Sequence, residues 1–263
     1  MPARTTNGAS FFYEEAGKGL PVVLLHGFPL DARIWASQRA DLSSKYRVIT
    51  PELRGFGRSQ SQDAFTMESL ADDVHALLAE IAALPCVLGG LSMGGYVALE
   101  YVKKYPTDLR GLMLIDTRAE GDSPEGKEAR GKMAQLAKDK GSSAVAEQMM
   151  PKMLAPDAEQ HRPAVAKELR AIMEASPPAT IVNALMAMRD RKDHTANLPS
   201  IAVPTLILVG EADAITPPKM AEAMKAGIPN AELVVIRGAG HLSPMEQPGQ
   251  VNQAIRAFLE GVS

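Results

Sequence analysis

Apolar positions fall along this chain in two rhythms. Short continuous runs at residues 22–25, 47–50, 87–90, 112–115, 205–209 and 233–236 each stop at a turn-forming or polar cluster. Most are rich in β-branched residues, and runs of this kind read as buried strands of a parallel sheet. Between them apolar residues recur at spacings of three and four. Leu70, Val74, Leu77, Leu78 and Ile81 make such a stripe within 66–83, and helices are also predicted at 93–104, 217–226 and 248–259. The alternation predicts an α/β fold with a mostly parallel central sheet and helices on both faces. Residues 10–15 are expected to add an antiparallel edge strand.

The alternation stops between Thr117 and Asn197, where four helical patterns follow one another without a strand. Ala129, Met133, Leu136 and Ala137 share one face, and Val165, Leu169, Ile172 and Met173 share another. Ile181, Leu185 and Met188 follow the Pro177-Pro178 break. Pro151 is expected to kink or end the helix carrying Val145, Met149 and Met150. The predicted organisation is a core of residues 1–116 and 198–263 with an inserted all-helical cap at 117–197. Such a cap would lie over the C-terminal edge of the strands, where open α/β sheets bind ligands. A chain of 263 residues exceeds the ~100–200 usual for one domain, and the insertion accounts for the excess.

Composition removes several classes of function. With 46% hydrophobic and 22% charged residues the chain is an ordinary globular one. Its net charge of −3 gives no reason to expect a nucleic-acid partner. Cys86 is the sole cysteine, which excludes an intrachain disulfide or a cysteine-based zinc site. No apolar run reaches the ~18–20 residues that cross a bilayer, and the N-terminal stretch has no secretory-type apolar segment. The expectation is a cytoplasmic protein without a membrane partner. No spacing of His or carboxylates suggests a metal, and no glycine pattern suggests a nucleotide, so no cofactor is expected.

The strongest chemical signal is Gly90-Leu91-Ser92-Met93-Gly94-Gly95, following a strand and opening a helix. Glycines around a serine at such a turn let the chain bend sharply and present the hydroxyl. A serine needs a base, and the base an orienting acid. Of the five histidines, His241 stands in a glycine-rich loop after the last strand and is the best base. His75, His161 and His194 lie in polar surroundings and are expected at the surface, while His26 reads as an organiser of backbone. Asp213, in the loop after the strand at 205–209, is the favoured acid over Asp116. Glu211 is expected to cap or pair locally. The order Ser92, Asp213, His241 is that of nucleophile-elbow hydrolases. Backbone N–H groups of Met93 and Phe28 are the candidate donors to an oxyanion.

Taken together, His26-Gly27-Phe28-Pro29, residues 54–59 (Arg-Gly-Phe-Gly-Arg-Ser), residues 90–95, residues 210–213 (Gly-Glu-Ala-Asp) and Gly240-His241 resemble the α/β-hydrolase superfamily, in its small, capped, cofactor-independent branch. The resemblance covers about 22–116 and 204–259. It implies an α/β-hydrolase fold, a nucleophile at Ser92, an acid at Asp213, a base at His241, oxyanion donors at Phe28 and Met93, and a helical lid. Glu52 stands where relatives usually carry Asp, leaving any Glu52–Arg54 support of the site floor in question. A serine rather than an aspartate at the elbow speaks against dehalogenase or epoxide-hydrolase chemistry.

The expected activity is hydrolysis of a small-molecule carboxylic ester through an acyl-enzyme, with lactone or carbon–carbon hydrolysis by the same residues as alternatives. A non-catalytic ligand receptor is the alternative from another class. Seven of the 14 Met, and no aromatic residue, lie in 117–197, which suggests an adaptable aliphatic pocket roof. Met149, Met153 and Leu242 are candidate pocket residues. Arg118 is either a contact for an acidic substrate group or the partner of Asp116 or Glu120.

Overall fold

The computed structural model describes residues 3–6, 9–59 and 61–262. Eight strands form one sheet: β1 (Ala3–Thr6), β2 (Ala9–Ala16), β3 (Pro21–Leu25), β4 (Arg47–Pro51), β5 (Cys86–Leu91), β6 (Leu109–Ile115), β7 (Thr205–Gly210) and β8 (Ala231–Ile236). Their order across the sheet is β1-β2-β4-β3-β5-β6-β7-β8. β1 and β2 pair antiparallel, β2 joins β4 antiparallel, and every pairing from β4 to β8 is parallel. The expected extra antiparallel strand is therefore β2, and the edge belongs to β1 instead. Parallel strands covered on both sides need continuous apolar sequence, and β5 and β7 are buried at every residue.

The helices are α1 (Ala36–Leu42), α2 (Met67–Glu80), α3 (Met93–Lys104), α4 (Pro124–Met153), α5 (Ala158–His161), α6 (Pro163–Glu174), α7 (Pro178–Asp190), α8 (Pro218–Gly227), α9 (Ser243–Glu246) and α10 (Pro248–Val262). Two apolar clusters lie on the two faces of the sheet. One gathers α2, α3 and α8 residues such as Leu70, Val97 and Met224, and the other holds Trp35 just before α1, Leu42 of α1, and Ile255 and Leu259 of α10. Thr66 starts α2 through a reciprocal cap with Ser69, satisfying donors that the first turn leaves free.

Among the described residues no strand lies between β6 and β7, where helices are joined by short loops. The backbone of Gly141 (φ 77, ψ −173) interrupts α4 ahead of the stretch carrying Val145, Met149 and Met150, and that stretch ends close to Pro151 as expected. Pro151 lies in the last turn of α4, which stops at Met153. α4 folds back against α6 and α7. Of the stripe expected at its start, Ala137 is buried and Met133 and Leu136 are half-buried, but Ala129 is exposed. Among the described residues no helix is long and apolar enough to cross a membrane.

Candidate active site

The strand-to-helix turn after β5 has the geometry that the flanking glycines suggest. Ser92 is held at φ 52 and ψ −112, a conformation costing a non-glycine residue about 1–3 kcal/mol. Its N–H donates to Ile115 O at 2.9 Å, and its own carbonyl accepts from Gly95 N at 2.9 Å. A side chain on Gly90 would collide with the Gly94 carbonyl, and one on Gly94 with those of Leu25 and His26. The close passage of these backbones is what brings Ser92 to the C-terminal edge of the sheet.

Three loops converge there. Ser92 Oγ lies 2.9 Å from His241 Nε2, and His241 Nδ1 lies 2.8 Å from Asp213 Oδ2. Asp213 accepts further bonds from Ile215 N (2.8 Å), Thr216 N (2.9 Å) and Thr216 Oγ1 (2.7 Å). A carboxylate can only accept, so Nδ1 carries the proton and Nε2 is left to accept from the Ser92 hydroxyl. Burial works against a charged His241, but the charge and hydrogen bond of Asp213 outweigh it, with Asp116 and Glu246 adding to them, and its pKa rises. Burial likewise opposes ionisation of Asp213. The charge and hydrogen bond of His241 and the Thr216 donors overcome it and lower its pKa.

Asp116, the other candidate acid, does not touch His241. Its Oδ1 accepts from Gly210 N at 2.8 Å, and its Oδ2 from Ser243 N at 3.2 Å and Ser243 Oγ at 2.6 Å. Complete burial, then the nearby Asp213 charge, push its carboxyl up to about 8. Glu211 accepts from Gly238 N at 3.1 Å, a partner beyond β8 rather than the local one expected.

The loop after β3 runs against the elbow: a Cβ on Gly27 would lie 3.3 Å from Ser92 Cβ. Phe28 follows Gly27 in this loop, and Met93 opens α3 directly after the serine. His26 Nε2 accepts from Leu53 N at 3.0 Å, and its Nδ1 is 2.8 Å from Gly27 O. Burial lowers its pKa, so it serves as a neutral backbone brace, in keeping with its reading from sequence.

Several other expectations change. Glu52 does not support Arg54. It binds Arg58, through the backbone N–H at 2.5 Å and the guanidinium at 2.7 Å, while Arg54 pairs with Asp73. His194 is buried, not exposed, with its Nε2 2.8 Å from Glu100 Oε1. The turn at Thr195–Ser200 carries it beneath α3. His75 is half-buried, stacked on Tyr105 at 3.9 Å and bonded to Asp108, whereas His161 is exposed. Arg118 pairs with Asp122 rather than with Asp116 or Glu120. Met153 and Leu242 are buried in one apolar cluster, and half-buried Met149 packs against both clusters.

Two residues near Ser92, His241 and Asp213 were not singled out in the sequence. Thr216 holds Asp213, and Glu246 accepts from Gly240 N (2.7 Å) and Ala155 N (2.9 Å), tying the His241 loop to the helical insertion. A Thr or Glu three to five residues from a candidate site residue is too common to stand out. Among the described residues no group of three or more His, Cys, Asp or Glu side chains gathers to hold a metal.

A mostly parallel sheet covered on both faces, a serine at a strained strand-to-helix turn, and a helical excursion between β6 and β7 define an α/β hydrolase fold. The chain belongs to the alpha/beta hydrolase family, whose family model matches residues 22–254. It is 32% identical to the AB hydrolase superfamily protein YisY of Bacillus subtilis, over 97% of each chain. A thermophilic esterase from Thermogutta terrifontis, solved with malate bound, superposes with a TM-score of 0.95 at 45% identity, covering 99% of this chain and 97% of that one. The enol-lactonase from Burkholderia xenovorans LB400 superposes at 0.92 with 26% identity, over 98% and 100% of the two chains. Relatives of these kinds support a hydrolase.

Proposed function

We propose that the protein is a serine hydrolase of small carboxylic esters. The observation that carries this reading is the continuous chain of hydrogen bonds from Ser92 Oγ through His241 to Asp213. His241 Nε2 accepts the serine proton as Ser92 Oγ attacks the ester carbonyl. The backbone N–H groups of Phe28 and Met93 donate to the oxyanion of the tetrahedral intermediate; one such donor contributes about 2.7–4 kcal/mol to lowering the barrier. The imidazolium then protonates the departing alkoxide, leaving an acyl-Ser92 ester. Water, deprotonated by His241, releases the acid along the same path.

The helices between β6 and β7 serve in this reading as a cap over the site. Half-buried Met149 offers it unbranched aliphatic surface suited to an acyl chain, whereas Met153 and Leu242 are enclosed in an apolar cluster. A lactone presents the same carbonyl, and the likeness to an enol-lactonase gives lactones a place beside linear esters.

A fluorophosphonate probe, with esters and lactones assayed alongside, tests the proposal. The native protein becomes labelled at Ser92, while Ser92→Ala and His241→Ala proteins do not. A folded native protein that takes no label and hydrolyses none of these compounds would be a ligand receptor instead.

A further inference from the structure

A cleft of about 390 Å³ lies between the α4 arm of the insertion and the loop that follows β7 and carries Asp213. Its lining includes Arg118, Asp122, Arg130, Met133, Lys152 and Ile215. Both walls are joined to the catalytic centre. Arg118 follows Thr117, whose Oγ1 donates to Ser92 O at 2.8 Å, and Ile215 donates its N–H to Asp213 Oδ1 at 2.8 Å.

The charges in this cleft do not balance. Asp122 is the carboxylate in the lining, and it is already surrounded by Arg118, Arg130 and Arg191. Its side chain is 1% exposed, so it has little surface to offer another cation. Within the lining, Arg118 Nε is buried without a hydrogen-bond partner. Lys152 is exposed and has no ion pair among the described residues. A concave wall with surplus cations focuses positive potential and draws anions, and guanidinium and ammonium groups are the usual partners of a carboxylate. Met133 and Ile215 add aliphatic surface to the same cleft.

We propose that this cleft receives a free carboxylate carried by the substrate, so that half-esters of aliphatic dicarboxylic acids are the preferred substrates. The ester carbonyl lies at Ser92, the methylene spacer runs along Met133 and Ile215, and the carboxylate meets Lys152 and the arginine cluster. This substrate class rests on the serine-hydrolase reading, whereas anion binding in the cleft does not.

The test has two arms. In the first, monoethyl succinate, glutarate and adipate are compared with ethyl pentanoate by pH-stat, for the native protein and for Lys152→Glu. At least one half-ester is expected to exceed ethyl pentanoate in kcat/KM by about tenfold or more, mainly through KM, and Lys152→Glu to lower that ratio by a similar factor. Equal rates for charged and neutral esters, or a ratio untouched by Lys152→Glu, would overturn the proposal. In the second arm, calorimetry measures glutarate binding to Ser92→Ala protein with and without Lys152→Glu. Glutarate bound through Lys152 while no ester is cleaved would sustain the anion site and reject the serine-hydrolase reading. Absence of Lys152-dependent binding would reject the site itself.

Discussion

Ser243 gives both its backbone N–H and its hydroxyl to Asp116, at 3.2 and 2.6 Å. Asp116 thereby joins two loops, since its other oxygen holds Gly210 at the start of the segment leading to Asp213. The carboxyl at the end of β6 is a brace between the acid and the base rather than a member of the relay. Its side chain is wholly enclosed, and its backbone sits at φ 44.

The titration of Asp116 sets a pH dependence of stability. In the unfolded chain an aspartate ionises near its ordinary value of about 3.9, whereas the folded protein holds this one at about 8. Its contribution is fully present below the ordinary value, and it falls away as pH rises through the folded one. Asp116→Asn cannot ionise and is expected to flatten the loss of stability between about pH 4 and pH 8. Thermal melts across that range check it, and an unchanged slope would assign the decline to other groups.

The base carries a second pH signature. His241 has a raised pKa in the folded protein, and only the neutral imidazole can take the serine proton. Activity is therefore expected to rise with pH through a midpoint above the ordinary histidine value of about 6.5. Asp213→Asn removes the charge that raises it. The midpoint should move down, while kcat drops on the order of 10³–10⁴-fold. A kcat/KM profile of both proteins with a neutral ester measures the two effects together.

Thr216 is expected to act through Asp213. Thr216→Val deletes the 2.7 Å hydrogen bond to the carboxylate, an interaction contributing about 0.5–1.5 kcal/mol. A kcat reduced by up to about tenfold with little change in KM would fit this role. An effect confined to KM would instead place Thr216 in substrate binding.

Two glycine substitutions should move stability in opposite directions. A methyl group on Gly94 meets the carbonyls of Leu25 and His26, backbone that cannot swing aside, so Gly94→Ala should destabilise by several kcal/mol or prevent folding. Gly131, within α4, has nothing within 4 Å of the added position. Gly131→Ala should therefore stabilise by about 0.5–1 kcal/mol. Urea unfolding of the two variants decides both.

The parts of the molecule legible in one dimension were those that depend on near neighbours in the chain. Continuous apolar runs marked the strands from β3 to β7 because a parallel strand buried on both faces has no polar side to show, and the apolar run of β8 stood out although that edge strand is only partly buried. Gly90, Gly94 and Gly95 marked the elbow because only small residues pass at those backbone distances. His241 stood out for its glycine-rich loop, and Asp213 for its place just beyond a strand.

Contacts made by distant segments were not legible in this way. Glu52 chose Arg58 over Arg54, Arg118 chose Asp122, and His194 went under α3 to Glu100. Each carries a charge or polar tip that suits several partners, and three-dimensional proximity selects among them. In α4 two helix breakers act at different places, Gly141 within it and Pro151 near its end. Proline is the costlier residue inside a helix, by about 3 kcal/mol against about 1 for glycine. Yet the packing of α4 on α6 and α7 is reached by a turn at Gly141, and Pro151 is absorbed near the helix end.

Sequence alone carried the resemblance to the α/β-hydrolase family and nominated Ser92, His241 and one of two aspartates, Asp213 ahead of Asp116, because strand periodicity and turn glycines encode their meaning locally. Folding decided that Asp213 rather than Asp116 faces His241, that Glu246 ties the base loop to the insertion, and that surplus cations line a cleft against the loop that carries Asp213. Those outcomes depend on which side chains share a low-dielectric interior. Residues as far apart as Asp116 and Ser243 become neighbours only when the sheet has closed.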